Sequence, residues 1–368
     1  MTSPGSPGRG GRCRYETDVL VVGAGPAGAV AAREAARAGA RVLLVERKRE
    51  VGVPVRCAEF VPWGVADLVS PSRLPVVQRV EGLRTHVPSG RCVRTRSPGV
   101  LLDRAFFDRR LTEAAAAAGA EVWTRARLVR RLRGGFRVER EGRSVVVEAQ
   151  VLIGADGPRS LVAEWLGNPP QRCAVGAQVT VTLTRPQAEA EVFFGPEYPG
   201  GYGWLFPRGG SANVGVAVDR ALGGEVQRAL AGLLGRLGRS GLVAPGAILR
   251  RTGGLIPIGG PRQWTQTGRV LLVGDAAGHT HPITGAGIHH ALVGGGVAGR
   301  LAAEAVASGE PAVLDRYEKE CRAWLGGALQ RAVDRRALYE ARWRSGERGD
   351  DLYRRTWVAF KEYYCDAA

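Results

Sequence analysis

One stretch near the amino terminus constrains the fold more than any other part of the chain. The apolar run DVLVV at residues 18–22 is typical of a buried parallel strand, and it is followed by GAGPAG, an Ala-rich helix and a second apolar strand that ends at Glu46. In this context Gly23 permits a tight turn, Gly25 lets a diphosphate approach the backbone, and Gly28 lets the helix pack close to the strand. The stretch therefore predicts a Rossmann-type unit that binds a dinucleotide, with Glu46 on the adenosine ribose.

Two later turns have a similar character. The strand RVLLV leads into Gly274 and Asp275, and the strand VLIGA leads into Asp156 and Gly157. A carboxylate at the end of a buried strand, beside a glycine turn, suits a chain of hydroxyl groups such as the ribityl chain of a flavin. The alternative for Asp275 is a surface carboxylate that caps a helix. Three such turns in this order indicate a dinucleotide cofactor more specifically than any one of them does.

Charge and cysteine usage limit the partners and the compartment. The formal net charge is +17, with Arg far more frequent than Lys, and such a charge attracts nucleic acid, phosphorylated substrates or an anionic bilayer. No nucleic-acid-binding motif accompanies it, so we expect no nucleic-acid partner, and host composition is an alternative explanation. The six cysteines form no CxxC pair and no zinc spacing, which indicates a reducing, cytoplasmic compartment. The first fourteen residues lack the apolar core of a signal peptide, and no apolar run approaches the eighteen residues that a membrane span needs.

The motifs together resemble a known family. GAGPAG with Glu46, LLDRAFFD, ADG and GDAAG, in this order, resemble the FAD-dependent oxidoreductases of the para-hydroxybenzoate hydroxylase fold. Within that group, PVRCAE at 54–59 and YGWLFP at 202–207 resemble the geranylgeranyl reductase family, whose members reduce isoprenoid chains on archaeal lipids and chlorophyll precursors. The resemblance spans about residues 15–310.

The resemblance implies an FAD site and a role for each matching residue. The expected cofactor-binding residues are Gly23, Gly25, Pro26, Ala27, Gly28 and Glu46 at the ADP part, Arg104 packed against the cofactor, Asp156 and Gly157 near the diphosphate, Gly274 and Asp275 at the ribityl chain, and Pro282, Gly285, Ala286, Gly287 and Ile288 beside the ring. The sequence departs from the family at Ala58, where Gly is common, and at Ala286, where an acid is frequent. These departures affect the expected substrate placement near the ring rather than cofactor binding.

The stretch GHTHPITGAGIHH at 278–290 contains four of the five histidines. An HxH pair is compatible with a metal site, but His289 and His290 would point about 100° apart on a helix, so we expect no metal. If GDAAG reaches the flavin, HPITGAG must pass beside the ring. A helix from about Ala286 to Ser308 would then aim its N-terminal amides at the N1–C2 carbonyl region, where negative charge develops on reduction.

The preferred hypothesis for the chemistry is reduction of isolated carbon–carbon double bonds in a prenyl chain. Flavin N5 would deliver a hydride to one alkene carbon, and a proton donor would protonate the other carbon. An apolar channel would hold the alkene in position for both transfers. The catalytic candidates are Cys57 at the ring face, Tyr202 and Trp204 in the channel wall, and His281. Ordinary sheet core is the alternative for the aromatic strand, and a structural thiol is the alternative for Cys57.

Two other classes of function stay open. A flavin monooxygenase or halogenase would use O2 on an aromatic substrate, and flavin halogenases carry WxWxIP where this chain has YGWLFP. A basic membrane- or nucleic-acid-binding protein would keep FAD only for structure. Because no second dinucleotide fold follows, the expected electron donor is NAD(P)H bound transiently or a small redox protein. A prenyl-lipid substrate and the basic charge also fit peripheral contact with the inner face of the cytoplasmic membrane, and the oligomeric state is open.

The predicted fold class is α/β. A Rossmann-type FAD-binding domain is built from discontinuous segments, an antiparallel β-sheet substrate domain is inserted into it, and a helical tail follows. The expected boundaries are a flexible basic arm at 1–14, the FAD-binding domain at 15–171 and 253–310, the substrate domain at 172–252, with about 73–98 joining its sheet, and C-terminal helices at 311–368.

Overall fold

The computed structural model describes residues 13–67 and 74–365, so the predicted arm at 1–14 lies almost wholly outside the described residues. In chain order the strands are β1 (Cys13–Val22), β2 (Val42–Val45), β3 (Phe60–Pro62), β4 (Val76–Val80), β5 (Leu83–His86), β6 (Cys92–Thr95), β7 (Gly99–Leu102), β8 (Glu121–Trp123), β9 (Ala126–Leu132), β10 (Gly135–Arg140), β11 (Arg143–Gly154), β12 (Cys173–Leu183), β13 (Ala190–Phe193), β14 (Tyr202–Arg208), β15 (Ser211–Val218), β16 (Val243–Pro257), β17 (Gln266–Thr267) and β18 (Val270–Leu272). The α-helices are α1 (Pro26–Arg37), α2 (Arg104–Ala117), α3 (Leu161–Trp165), α4 (Val226–Arg239), α5 (Ile288–Ser308), α6 (Arg316–Arg344) and α7 (Asp350–Thr356).

The first sheet is the Rossmann-type layer. Its strand order is β17-β18-β11-β1-β2-β8, and β9 and β10 extend it beside β11. β1 pairs in parallel with β2, its neighbour in the chain, and with β11, which follows far later. β18 pairs in parallel with β11 on the other side. The predicted α/β fold class, with a Rossmann-type sheet built from separated segments, is confirmed.

Helices α1 and α5 pack closely because small residues line their contact. A Cβ atom added at Gly295 would collide with the carbonyl oxygen of Ala27, and one added at Gly299 would collide with that of Ala31. The residue numbers rise together along both helices, so the two helices run parallel. Their N-termini therefore point to the same side of the sheet, which is the side where the strands end and where such folds bind nucleotides.

The second sheet has seven strands in the order β16-β12-β15-β14-β13-β5-β6. Strands β12 to β16 are consecutive in the chain, whereas β5 and β6 come from a separate hairpin that pairs in parallel with β13. Alternate residues such as Leu205 and Val214 pack on Leu233 of α4. Side chains of the opposite face, such as Gln178 and Tyr202, contact the backbone of Cys57 and of Thr284. A third, three-stranded sheet has the order β3-β7-β4.

Ion pairs fix the C-terminal helices to the second sheet. The buried guanidinium of Arg336 on α6 contacts Asp219 at 2.9 Å and Glu340 at 2.7 Å. It also donates to the carbonyl oxygen of Gly200, and the Gly200 amide donates to Tyr339. This network holds α6 against the loop before β14. None of the described helices combines the length and the apolar character that a bilayer crossing needs.

Candidate active site

The turn after β1 can be built only with glycine at two of its positions. Gly23 has φ of +103°, and a Cβ there would collide with Ala155. A Cβ at Gly28 would collide with the carbonyl oxygen of Gly23, because α1 crosses close above the turn. At Gly25, in contrast, no atom lies within 4 Å of an added Cβ. The turn is therefore tight on its inner side and open on the side where a diphosphate would lie.

The start of α1 is left free for an anion. Gly25 is its N-cap residue and has no side chain to cap the helix, and Pro26 occupies the first turn. The buried carboxylate of Glu46 accepts from the Ala24 amide at 2.9 Å and from the Lys48 amide at 2.9 Å. Glu46 thus holds the turn in shape and keeps lone pairs for a ribose hydroxyl. That contact with the ribose stays a prediction.

A cavity of about 140 Å³ opens beside this turn. Its walls are formed by Ala24, Gly25, Glu46, Lys48, Gly52, Pro54, Val55, Arg56, Arg104 and Asp108. Arg104 on α2 forms a two-pronged ion pair with Asp108, with both hydrogen bonds at 3.0 Å. Burial alone would lower the pKa of Arg104, but the Asp108 carboxylate and the Cys57 sulfur hold it above its ordinary value. A permanent cation therefore stands between the nucleotide turn and Cys57.

Asp275 and the start of α5 lie next to each other. A Cβ added at Gly287 would lie 3.3 Å from Oδ1 of Asp275, and this same oxygen accepts from the Thr280 hydroxyl at 2.7 Å. Burial raises the pKa of the Asp275 carboxyl, whereas the Thr280 hydrogen bond and the Arg104 charge oppose the rise. Helix α5 begins at Ile288, two residues later than the sequence predicts, and its N-cap Gly287 has no capping side chain. The Asp275 carboxylate and the uncapped N-terminus of α5 therefore lie side by side.

The carboxylate of Asp156 is used within its own turn. It accepts from the Ser160 hydroxyl at 2.5 Å and from the Leu161 amide at 2.8 Å, at the beginning of α3. Asp156 therefore stabilises the turn that contains Gly157, which has φ of +85°. Its predicted contact with the cofactor stays a prediction, and this geometry assigns it first to local structure.

Three of the four clustered histidines, His279, His281 and His290, are buried. Burial lowers the pKa of His279, His281 and His290 to about 4 in each case, with a further contribution from neighbouring histidines. His281 Nδ1 accepts from the Thr284 amide at 3.2 Å, and its Nε2 lies 3.3 Å from the Tyr363 hydroxyl. Within the described ranges, no group of three or more His, Cys, Asp or Glu side chains is arranged to hold a metal ion.

Successive residues of β14 point to opposite faces of the second sheet, so its aromatic side chains share one face. Tyr202, Trp204 and Phe206 lie in one apolar cluster, whereas Leu205 lies in the cluster under α4. Trp204 faces Gly215 on β15, and a Cβ added there would collide with the indole ring. Gly215 therefore lets the indole lie flat across the sheet. No local sequence pattern indicates this role of Gly215, because it depends on the pairing of β14 with β15.

Side chains of the second sheet hold the segment that contains Cys57. Gln178 donates to the carbonyl oxygen of Cys57 at 3.2 Å, and Asn213 donates to that of Ala58 at 3.2 Å. Thr252 donates to the Val55 carbonyl oxygen at 2.7 Å. The Trp204 indole N–H donates to Gln178 Oε1 at 3.0 Å, so one amide side chain joins the aromatic wall to the Cys57 backbone. The Cys57 sulfur itself accepts from the Glu59 amide at 3.2 Å.

Glu59 is a site residue that sequence reasoning missed. Its side chain is 1% exposed, and its backbone has φ of +70°, which is strained for a residue with a side chain. The carboxylate accepts from the Asn213 amide at 2.9 Å and from the Arg104 backbone amide at 3.1 Å. These contacts fix the turn after Cys57 against both α2 and the second sheet. The positive φ leaves no signal in the sequence, since Glu is not a residue that favours it.

The C-terminal segment also lines the site, together with the aromatic residues of β14 and the segment that contains Cys57. The Trp357 ring lies 5.0 Å from Tyr202, centroid to centroid, and Tyr363 contacts His281. Buried Arg335 on α6 donates to the Tyr363 carbonyl oxygen at 2.9 Å and holds this segment in place. Tyr202 donates to the Thr284 carbonyl oxygen at 2.6 Å. Thr284 lies in the segment at 279–287 that leads into α5, which we call the α5 approach, so β14, the α5 approach and the C-terminal segment meet here. The aromatic content of the tail was the only sequence signal for this role.

Comparisons with known proteins place the chain. Residues 18–162 match a family model for FAD dependent oxidoreductases, and residues 262–332 match a model for an FAD binding domain. A digeranylgeranylglycerophospholipid reductase from Methanothrix thermoacetophila is 37% identical over 345 residues, which cover 88% of this chain and 87% of the relative. The chain belongs to the digeranylgeranylglycerophospholipid reductase family. A geranylgeranyl bacteriochlorophyll reductase-like structure from Thermoplasma acidophilum superposes with a TM-score of 0.82 at 27% identity, covering 95% of this chain and 92% of that one.

Membership of the digeranylgeranylglycerophospholipid reductase family confirms the predicted enzyme class and the predicted FAD cofactor. A flavin-dependent brominase also superposes with a TM-score of 0.69, covering 92% of this chain and 89% of its own, but at 17% identity this likeness shows the fold alone. In this reductase family member, the structure brings Cys57, Tyr202 and His281 to the same side of the Rossmann layer as Arg104 and Asp275. The individual roles of these residues stay predictions.

Proposed function

We propose that this protein is an FAD-dependent reductase that saturates isolated carbon–carbon double bonds in the isoprenoid chains of a lipid. One observation carries the proposal: an aromatic wall, Tyr202, Trp204 and Trp357, lies beside the Cys57 segment and the α5 approach. An unactivated alkene offers no charged handle, so an enzyme must position it by apolar contacts. The names of the curated relatives, which are reductases of digeranylgeranyl lipids, support the same substrate class.

The residues present fit the cofactor. The open face of Gly25, the uncapped start of α1 and the cation Arg104 would hold the diphosphate, and Asp275 would hold the ribityl chain. The uncapped start of α5 would lie at the electron-rich edge of the ring. FAD, when bound and reduced, supplies the hydride equivalent that an alkene needs. Helix α5 can stabilise negative charge there without any titrating side chain.

Cys57 is the group we propose as proton donor. Its sulfur accepts a hydrogen bond from the Glu59 amide, which leaves its S–H free to donate. The other candidates are engaged: the Tyr202 hydroxyl donates to Thr284, the Trp204 indole donates to Gln178, and His281 Nδ1 accepts from Thr284. Tyr202 and Trp204 would therefore shape the channel. His281 would keep the α5 approach in its conformation.

Two finer features belong to the proposal. We propose peripheral contact with a membrane that contains the prenyl lipid, because the lipid chain must pass from a bilayer into the site. The electron donor would be NAD(P)H bound transiently or a small redox protein, since the described residues contain a single Rossmann-type sheet.

The decisive experiment is anaerobic reoxidation of the reduced flavoprotein. Digeranylgeranylglycerophospholipid in detergent micelles should reoxidise the flavin, and mass spectrometry should show two added hydrogens for each reduced double bond. Cys57→Ala should slow reoxidation by a factor of about 100 or more, as expected for loss of a general acid. The matched control is Cys173→Ala, a half-buried thiol on β12. Product that forms only with O2, and only from an aromatic substrate, would instead support the monooxygenase or halogenase class.

A further inference from the structure

Glu59 combines an unusual backbone with deep burial. Among the described residues, three that are not glycine have a positive φ: Glu59 at +70°, Arg125 at +52° and Glu141 at +50°. Arg125 and Glu141 are exposed and lie in turns between consecutive strands, whereas Glu59 is buried two residues after Cys57. Glycine would adopt this backbone without strain. A glutamate held there against its backbone preference indicates that its side chain has a use.

The Glu59 carboxylate is contacted from four elements of the fold. Its Oε1 accepts from the backbone amide of Arg104 on α2 at 3.1 Å, and its Oε2 accepts from the Asn213 side chain on β15 at 2.9 Å. The guanidinium groups of Arg208 on β14 and Arg250 on β16 lie 3.4 Å and 3.5 Å from the same Oε2. Donors and cations around a buried carboxylate offset its desolvation and fix its position.

One peptide unit connects this carboxylate to the Cys57 sulfur. The peptide between Ala58 and Glu59 donates its N–H to Cys57 Sγ at 3.2 Å. The carbonyl oxygen of the same peptide accepts from Asn213 Nδ2 at 3.2 Å, and this nitrogen also donates to the Glu59 carboxylate. Asn213 therefore holds the carboxylate and the peptide together. A displacement of the carboxylate displaces the peptide, and with it the hydrogen bond that orients the thiol.

We propose that Glu59 is a positioning residue for proton transfer: its carboxylate holds the peptide between Ala58 and Glu59, and this peptide fixes the direction of the Cys57 S–H bond. The inference rests on the proposed function, because Cys57 is the proton donor there. In that step the S–H bond breaks, a C–H bond forms at the alkene carbon that receives no hydride, and the thiolate later regains a proton from water. Glu59 gives and takes no proton. A misplacement of about 1 Å costs on the order of a hundredfold in rate.

The test replaces Glu59 by Gln in the full-length holoprotein. The amide keeps the size of the side chain but offers one oxygen to two donors and removes the negative charge between Arg208 and Arg250. Flavin reoxidation by lipid in detergent micelles should slow by about tenfold to a hundredfold at saturating lipid, with the half-saturating lipid concentration within about twofold of the wild type. FAD content and circular dichroism check that the variant is folded.

The matched control is Glu191→Gln. Glu191 is also a buried carboxylate of the second sheet, and it contacts His86 at 2.6 Å rather than the Cys57 turn. This control should keep the maximal rate of reoxidation within about twofold of the wild type.

A second substitution separates positioning from a general loss of structure. In Glu59→Gln with Asn213→Asp, the amide and the carboxylate exchange places across one hydrogen bond, so the bond and a negative charge return. The maximal rate should recover at least about fivefold over Glu59→Gln, but not fully, because Asn213→Asp can no longer donate to the Ala58 carbonyl oxygen. Asn213→Asp alone should be slow, since it sets a second carboxylate against Glu59.

Alkylation of Cys57 by iodoacetamide, followed by peptide mass spectrometry, gives a reading that needs no lipid. In Glu59→Gln the sulfur is released from its turn, so Cys57 should react at least about fivefold faster, whereas the half-buried thiol of Cys173 should react within about twofold of its wild-type rate.

The two readings distinguish the possible failures. If lipid reoxidises no form of the protein while Cys57 alkylation still accelerates, the proposed function is wrong and the hold of Glu59 on the thiol stands. An unchanged alkylation rate in Glu59→Gln would overturn the inference whatever the reoxidation rate. It would also be overturned by a double variant no faster than Glu59→Gln, or by a change in the half-saturating lipid concentration alone, which would assign Glu59 to lipid binding.

Discussion

Replacing Gln178 by Leu tests whether one side chain couples the aromatic wall to the Cys57 segment. Gln178 is 4% exposed, accepts from the Trp204 indole at 3.0 Å and donates to the Cys57 carbonyl oxygen at 3.2 Å. Leu has nearly the same volume, so the change opens little cavity. It leaves one buried donor and one buried acceptor without a partner, at roughly 1–3 kcal/mol for each group. With partial relaxation we expect the free energy of unfolding to fall by about 2–4 kcal/mol.

The assay is urea unfolding of the FAD-saturated protein, followed by tryptophan fluorescence, together with kcat and KM for the lipid. Because Trp204 and Cys57 both shift, KM should rise and kcat should fall together. Thr182→Val is the matched control, since Thr182 lies on the same strand and is exposed. A loss below about 0.5 kcal/mol, which is ordinary for a surface site, would refute the coupling. Gln178→Glu keeps the acceptor for Trp204 but loses the donor to Cys57, so it should affect kcat more than KM.

Three further predictions concern the cofactor and pH. Gly28→Ala should yield folded protein with little bound FAD, measured as flavin released per chain, because the added Cβ collides with the turn. Asp275→Ala should weaken FAD binding by about tenfold to a hundredfold in a fluorescence titration, as expected for loss of a charge-assisted hydrogen bond. Burial lowers the pKa of His279, His281 and His290 from 6.5 to about 4, so the unfolded chain binds more protons between these values. Stability should be constant above about pH 6.5 and fall as the pH drops toward 4; a flat melting temperature over this range would contradict the burial of these rings.

The parts of the fold that the sequence predicts are those encoded locally. The glycine turn, the flanking strands and the alternating aromatic residues of β14 each lie within a few residues, where backbone sterics and period-two patterning act directly. The α/β class and the FAD cofactor follow from such stretches. The domain boundaries and the roles of individual site residues stay predictions. Within the 73–98 segment, β5 pairs with β13, and β6 pairs with β5 at the edge of the same sheet.

The parts that the sequence does not predict depend on distant pairings. Gln178, Asn213 and Thr252 hold the segment at 55–58, and nothing near any of them in the chain indicates that partner. At Asp156 the local motif predicts a cofactor contact, but the hydrogen bonds that the structure shows for this carboxylate go to the start of α3. Trp357 and Tyr363 reach the site only because α6 turns the chain back across the second sheet.

The position of β18 has a consequence for how the protein is made. β18 completes the parallel sheet beside β11, and the approach to α5 that follows it supplies Asp275 and Gly287. On the ribosome, the turn after β1 emerges early and must wait with its buried face uncovered until the chain has been synthesised past Ile288. A flavin site that uses both stretches can therefore be completed only late in synthesis, when the first and the last thirds of the polypeptide have met.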